Sequence, residues 1–199
     1  MRTAILTFDA FNELDSFIAL GILNRIKEPG WEVLIASPEK RIQSMNGVWV
    51  DAHIDVEEAC QADVVLVGSG LKTREVIADA ALMSKIQLDP DTQLIGAQCS
   101  GTLLLAKKGL LKDLPACTDL TTQPWVEESG VETLEQPFFA KGNLATSGGC
   151  LASSYLACWV IAKQISQKAA EEAMYYVAPV GEKSRYVEMM QRNVFAYLG

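Results

Sequence analysis

The sequence is poor in histidine, in net positive charge and in long apolar runs, and each shortage narrows what the protein can do. The single His, His53, lies in a polar loop with no clustered ligands around it, so a zinc site is not expected and His53 reads as an ordinary surface residue. Lys and Arg total 17 against 25 Asp and Glu, a formal net charge of −8. Nothing here forms a basic stripe for a phosphate backbone, which excludes nucleic acid as an expected partner. No uninterrupted apolar segment approaches the roughly 20 residues of a membrane span. Met1-Arg2-Thr3 leads straight into an apolar strand, without the charged, apolar and cleavage regions of a secretory signal. The five cysteines (60, 99, 117, 150 and 158) are odd in number and include no C-x-x-C pair. Reduced thiols in a cytoplasmic setting are the expectation.

What is present is a globular composition, 49% hydrophobic and 21% charged, over 199 residues. That length suits one sizeable core, and residues 1–199 read as a single domain. Short apolar runs alternate with helical spacing from end to end. Thr3 to Phe8, Trp31 to Ala36 and Ala62 to Val67 read as strands, and Phe17 to Ile26 as a helix. Asn46-Gly47 between apolar flanks predicts a small hairpin. Lys72 to Leu88 reads as one helix, Val131 to Phe139 and Asn143 to Thr146 as strands, and Leu151 to Ile165 as a long apolar helix. Ala169 to Val177 and Lys183 to Leu198 close the chain as helices, with Tyr175, Tyr176 and Tyr186 as packing residues. Such alternation points to an α/β sandwich around a mostly parallel sheet.

The chemistry concentrates in Gly96-Ala97-Gln98-Cys99-Ser100-Gly101. An apolar strand, Leu94 to Ala97, runs through small residues into a helix beginning near Thr102, the pattern of a sharp turn that exposes one side chain. A thiol at that turn sits by the positive end of the helix, which predicts a Cys99 pKa below the usual value and the fastest alkylation of the five. A buried structural cysteine is the alternative. Gly68-Ser69-Gly70 ends the preceding parallel strand, where backbone N–H groups point into the crevice used by ligands of open α/β sheets.

These pieces give the chain a family likeness. From the first strand through Gly148-Gly149 it resembles the ThiJ/PfpI family of the class I glutamine amidotransferase-like superfamily. The likeness is carried by the acidic Phe8 to Asp15 loop, the Val67-Gly68-Ser69-Gly70 loop and the Ala97-Gln98-Cys99-Ser100-Gly101 turn. It implies a flavodoxin-like three-layer sandwich, a reactive Cys99, an acid at Asp15 hydrogen-bonded to it, and an oxyanion site from the N–H groups of Gly70 and Ser100. Homodimers are common in the family. Two positions depart from the usual pattern. Asp119 stands where many members have His, as a substrate-side residue that cannot act as an imidazole base. Asp15 stands where many have Glu, and the Leu14-Asp15 pair is similar to isocyanide-hydratase-like members.

Three functions fit these residues. The first is a cofactor-independent enzyme in which Cys99 attacks a small electrophile while Asp15 moves the proton, as a hydratase, hydrolase or lyase. The second is a redox sensor or stress protein that oxidises Cys99 without turnover. The third is a silent binding domain. A homodimer is expected: the sandwich can bury one face of the apolar Leu151 to Ile165 helix, and what is left over, with apolar residues of the Phe17 to Ile26 helix, forms a candidate symmetric surface, as the family resemblance also implies.

Overall fold

The computed structural model describes residues 1–199. The chain opens with β1 (Arg2–Leu6), α1 (Glu13–Leu23) and β2 (Glu32–Ala36), then a hairpin of β3 (Arg41–Gln43) and β4 (Trp49–Asp51). There follow α2 (Val56–Ala59), β5 (Val64–Val67), α3 (Thr73–Ala78), α4 (Ala80–Lys85), β6 (Leu94–Gln98) and α5 (Gly101–Lys107). After α6 (Gln123–Glu128) come β7 (Phe138–Lys141) and β8 (Leu144–Ser147). The chain ends with α7 (Ser153–Gln164), α8 (Gln167–Val177) and α9 (Lys183–Val194).

Six strands form the central sheet in the order β2-β1-β5-β6-β8-β7. Every pairing is parallel except the edge pair β7–β8. Both faces are covered, as a parallel sheet requires. In β5, Val64 and Leu66 face one core with α1, α7, α8 and α9, whereas Val65 and Val67 face another with α2, α5 and α6. This is the flavodoxin-like three-layer α/β sandwich.

The hairpin forms where Asn46-Gly47 places it, α2 opens with an Asp55–Glu58 capping box, and α6 carries Pro124 in its first turn. Other expectations need correcting. The helix read over 72–88 is two helices, because Asp79 takes extended backbone and its carboxylate accepts the Leu82 N–H at 3.0 Å, restarting the chain as a new N-cap. The strand read over Val131 to Phe139 shrinks to Phe138–Lys141, since Val131 is drawn into the core and Thr133 makes only an isolated bridge with Ala116. Tyr175 and Tyr176 are exposed; their rings carry the cations Lys183 and Arg25 instead of core contacts. The largest correction concerns α7. Leu156, Trp159, Val160 and Ile161 are all fully buried within one subunit, between the sheet and its neighbours α1, α8 and α9. Most of the helix is thus hidden within one subunit, and the apolar surplus left over includes Leu151, which is exposed, and Tyr155, which is half-buried.

Close packing at the ends of β5 and β6 sets up the site. A Cβ on Gly101 would stand 2.5 Å from the Val67 carbonyl oxygen and 2.8 Å from that of Gly68. Both obstacles are backbone and cannot rotate away. Gly101→Ala should lower stability by about 3 kcal/mol, near the upper end for an overpacked core, read as a reduced urea midpoint with unchanged slope; a midpoint equal to wild type would mean that the turn is loose.

Candidate functional site

Cys99 has φ +46, one of two non-glycine residues in the left-handed region. This costs a residue with a Cβ on the order of 1–3 kcal/mol, and neighbouring bonds hold it there. The Cys99 N–H donates to the Ser147 carbonyl at 2.9 Å, and its own carbonyl accepts from Thr118 Oγ1 at 2.8 Å and from the Thr102 N–H at 3.1 Å. Gly148 lets the 117–119 loop come this close, since a Cβ there would overlap the Thr118 carbonyl oxygen. The turn aims the Cys99 side chain into a cavity of about 340 Å³ at the carboxyl end of the parallel strands. That volume suits a small molecule.

Asp15 comes to the same place from α1. It does not cap that helix, since Asn12 is the N-cap and accepts the Leu14 N–H at 3.1 Å. Asp15 is fully buried without a cation beside it. Its carboxylate accepts from Ser69 Oγ on one oxygen and from Ser153 Oγ at 3.4 Å on the other. Burying a carboxylate with no cation to pair it costs several kcal/mol that packing does not explain. The acidic loop, the glycine loop and the turn named from the sequence thus meet in space.

The other predicted positions sit around them. Ser100 Oγ accepts the Gly70 N–H at 3.1 Å and lies 2.7 Å from Thr73 Oγ1. The Ser100 N–H has no protein acceptor. Only Ser100 thus offers a free oxyanion N–H, and that of Gly70 is engaged by a hydroxyl that would have to swing aside. Asp119 lines the cavity, and its Oδ1 accepts the N–H groups of Thr121 and Thr122, each at 3.0 Å. Arg74, stacked 4.7 Å from the ring centroid of Trp125, lines it as well. His53 plays no part; exposed on its loop, it accepts the Ile35 N–H through Nδ1 at 2.9 Å.

One site residue is missing from the sequence reading. Cys150 follows Gly148-Gly149, and its Sγ, the Cys99 Sγ and a carboxylate oxygen of Asp15 lie within 4.8 Å of one another. Asn12 Nδ2 donates to the Cys150 sulfur at 3.2 Å. Two thiols and a carboxylate could ligate a soft metal ion, a donor set not anticipated from the sequence. The end of β8 is the signal that could have found it, because loops after adjacent parallel strands share one crevice.

The electrostatics also reverse an expectation. Burial, followed by the charge and hydrogen-bonding of Asp15, pushes the Cys99 thiol well above its ordinary value. Burial raises the other four as well, Cys117 and Cys158 to about 12. A helix N-terminus is worth about 0.3–1 kcal/mol, less than one pKa unit, whereas burial reaches 3–5 units, so burial wins.

Residues 1–163 match the DJ-1/PfpI family. The chain belongs to that family. Among solved structures, this DJ-1/PfpI chain is similar to Schizosaccharomyces pombe DJ-1 (TM-score 0.76, 16% identity, covering 90% of this chain and 100% of that one). A ThiJ/PfpI family protein from Pseudomonas syringae gives 0.79 at 17% identity, with 98% and 87% covered. Oxidized Toxoplasma gondii DJ-1 gives 0.75 at 18%, with 88% and 97% covered. No curated protein matches the sequence significantly.

The raised thiol makes a pH prediction with a definite sign. A group whose pKa lies above about 8.5 is mostly thiol at neutral pH, so Cys99 alkylation should keep climbing about tenfold per pH unit beyond that value. Asp15→Asn removes a charge that opposes ionisation and should shift the profile to lower pH. Iodoacetamide kinetics read by peptide mass spectrometry check both; a plateau below pH 8, or no shift in the variant, would contradict this electrostatic account.

Proposed function

We propose that this DJ-1/PfpI protein is a cofactor-independent enzyme in which Cys99 adds to a small electrophilic carbon and Asp15 carries the proton. The observation that supports it most is the fully buried Asp15, a carboxylate without a cation, facing a thiol in left-handed backbone. Burial and the neighbouring Asp15 raise the Cys99 thiol, so its proton rests on sulfur, facing the carboxylate. As the sulfur attacks, that proton passes to Asp15, which returns it to the substrate heteroatom later in the cycle. Charge growing on a carbonyl oxygen would meet the free N–H of Ser100, joined by that of Gly70 once the Ser100 hydroxyl turns away. Asp119, Arg74 and Trp125 shape the entrance. A hydratase, hydrolase or lyase fits equally, and the Leu14-Asp15 pair makes isocyanides first among the probes. The second reading, oxidation of Cys99 without turnover, draws on the same buried acid, which could hold a sulfinic acid by a hydrogen bond.

As to assembly, we propose a homodimer formed through a groove of about 990 Å³ lined by Phe17, Ile18, Tyr155, Tyr176 and Met189. Leu151, Tyr176 and Val177 are exposed along it, and dimers are common in the family.

Two experiments bear on this. In a screen of isocyanides, α-oxoaldehydes and activated esters, one compound should turn over with wild type, while Cys99→Ala abolishes the rate and Asp15→Asn lowers it 10²- to 10⁴-fold; equal rates in wild type and Cys99→Ala would remove the enzyme reading. Sedimentation at micromolar concentration should give twice the 21.7 kDa chain mass, and a single species at that mass would rule the dimer out.

A further inference from the structure

Cys150 has no part in that addition chemistry, yet its sulfur is held beside both members of the pair that performs it. Among the five thiols only Cys99 and Cys150 lie together against an acid. Cys60 is tied to the Lys85 carbonyl and the Gln87 N–H, Cys158 to the Ala170 carbonyl, and Cys117 is fully buried. Cys150 is the one cysteine of the five that is not buried, and it lines the same cavity as Cys99.

We propose that Cys99 and Cys150 form a redox couple, in which a hydroperoxide oxidises Cys99 and Cys150 captures the product as an intramolecular disulfide. The proposal rests on Cys99 being the nucleophile of the site, and it assigns to that site a second, oxidant-dependent chemistry. In the first step the Cys99 proton moves to Asp15 and the sulfur attacks the terminal peroxide oxygen. The O–O bond breaks, the departing alkoxide takes the proton from Asp15 and leaves as alcohol, or as water from hydrogen peroxide, and Cys99 becomes a sulfenic acid. In the second step Cys150 sulfur attacks the sulfenic sulfur. The S–O bond breaks, the Cys150 proton leaves with the hydroxide as water, and an S–S bond remains. Two thiols have lost two electrons and the peroxide has gained them. A dithiol reductant reverses the change by exchange, leaving its own disulfide.

The geometry permits the second step without unfolding. The sulfurs, within 4.8 Å, must close to about 2.0 Å. A single change of χ1 rotamer moves a Sγ by about 3 Å, which covers the gap. Cys150 follows two glycines, and a Cβ on Gly149 would meet nothing within 4 Å, which leaves the backbone on that side room to adjust. In the resting state the Asn12 amide holds the Cys150 sulfur with a single bond at 3.2 Å. Asp15 faces both sulfurs and serves as the proton relay in either step. A couple of this kind withdraws Cys99 from electrophile chemistry under oxidant and spares it the irreversible sulfinic state.

The test uses the reduced, full-length protein treated with one equivalent of hydrogen peroxide. Wild type should lose two of its five titratable thiols, lose the mass of two hydrogens, and yield a peptide pair joined through Cys99 and Cys150. Dithiothreitol should restore all five. In Cys150→Ser, Cys99 should instead be trapped by dimedone as sulfenic acid and then progress to sulfinic acid, which dithiothreitol does not reverse. Wild-type protein that forms Cys99 sulfinic acid with Cys150 still alkylatable, that bridges two chains, or that keeps all five thiols would overturn the proposal. The wild-type arm decides the matter even if the variant fails to fold. Disulfide formation without electrophile turnover would remove the enzyme reading alone, and turnover without the disulfide would remove this one alone.

Discussion

The left-handed backbone at Cys99 is the constraint on which the rest of the site depends. A relaxed residue there would continue β6 or begin α5 smoothly and would point its side chain into one of the two cores. The observed turn instead lifts the sulfur to the crevice. It is held by the Ser147 carbonyl, by Thr118 and Thr102, and by a glycine that lets α5 abut the backbone of β5. The Thr102 bond is local, but Ser147, Thr118 and the β5 backbone come from three distant segments. The thiol position is therefore a property of the assembled sheet, and strain of a kcal/mol or two is offset by bonds that form only in the complete fold.

Electrostatics then decides what the sulfur can do. In water an acid and a thiol a few ångströms apart would scarcely notice each other, but here both are cut off from solvent and no cation intervenes. Burial first, and then the charge and hydrogen-bonding of Asp15, hold the proton on the Cys99 sulfur. Reactivity is thus conditional. A thiolate exposed at a helix end would meet any passing oxidant or alkylator, whereas under the proposed chemistry a protonated, buried thiol would be reached only by molecules that fit the cavity.

Much of this was legible in the chain because it is written locally. Period-two apolar runs, the Asn46-Gly47 hairpin turn and the glycines flanking Cys99 each declare a backbone shape from neighbouring residues alone. Asp15 was legible only through family likeness, since nothing in its own surroundings separates a buried acid from a helix cap. Three things were not legible. Asp79 breaks a good helical pattern because one carboxylate finds a nearby N–H, a competition between two local structures that periodicity does not weigh. The direction of the Cys99 shift follows from the amount of protein above it, which no short motif encodes. Cys150 is distant in sequence, and it reaches Cys99 only because β6 pairs with β8 in a register that sets Gln98 opposite Ser147.

The middle of β6 adds a consequence for variation within this scaffold. Gly96 leaves a slot under the sheet into which Leu156 of α7 and Leu66 of β5 press; a Cβ there would stand 2.7 Å from each side chain. Leu156 is a contact of α7 with the sheet, and α7 continues directly from the turn that carries Cys150. A single methyl group beneath the strand would press on these two leucine ends, and any shift of α7 in response would be passed to the turn that carries Cys150. Relatives that share every residue of the cavity could then differ in oxidant sensitivity through a position that no substrate touches.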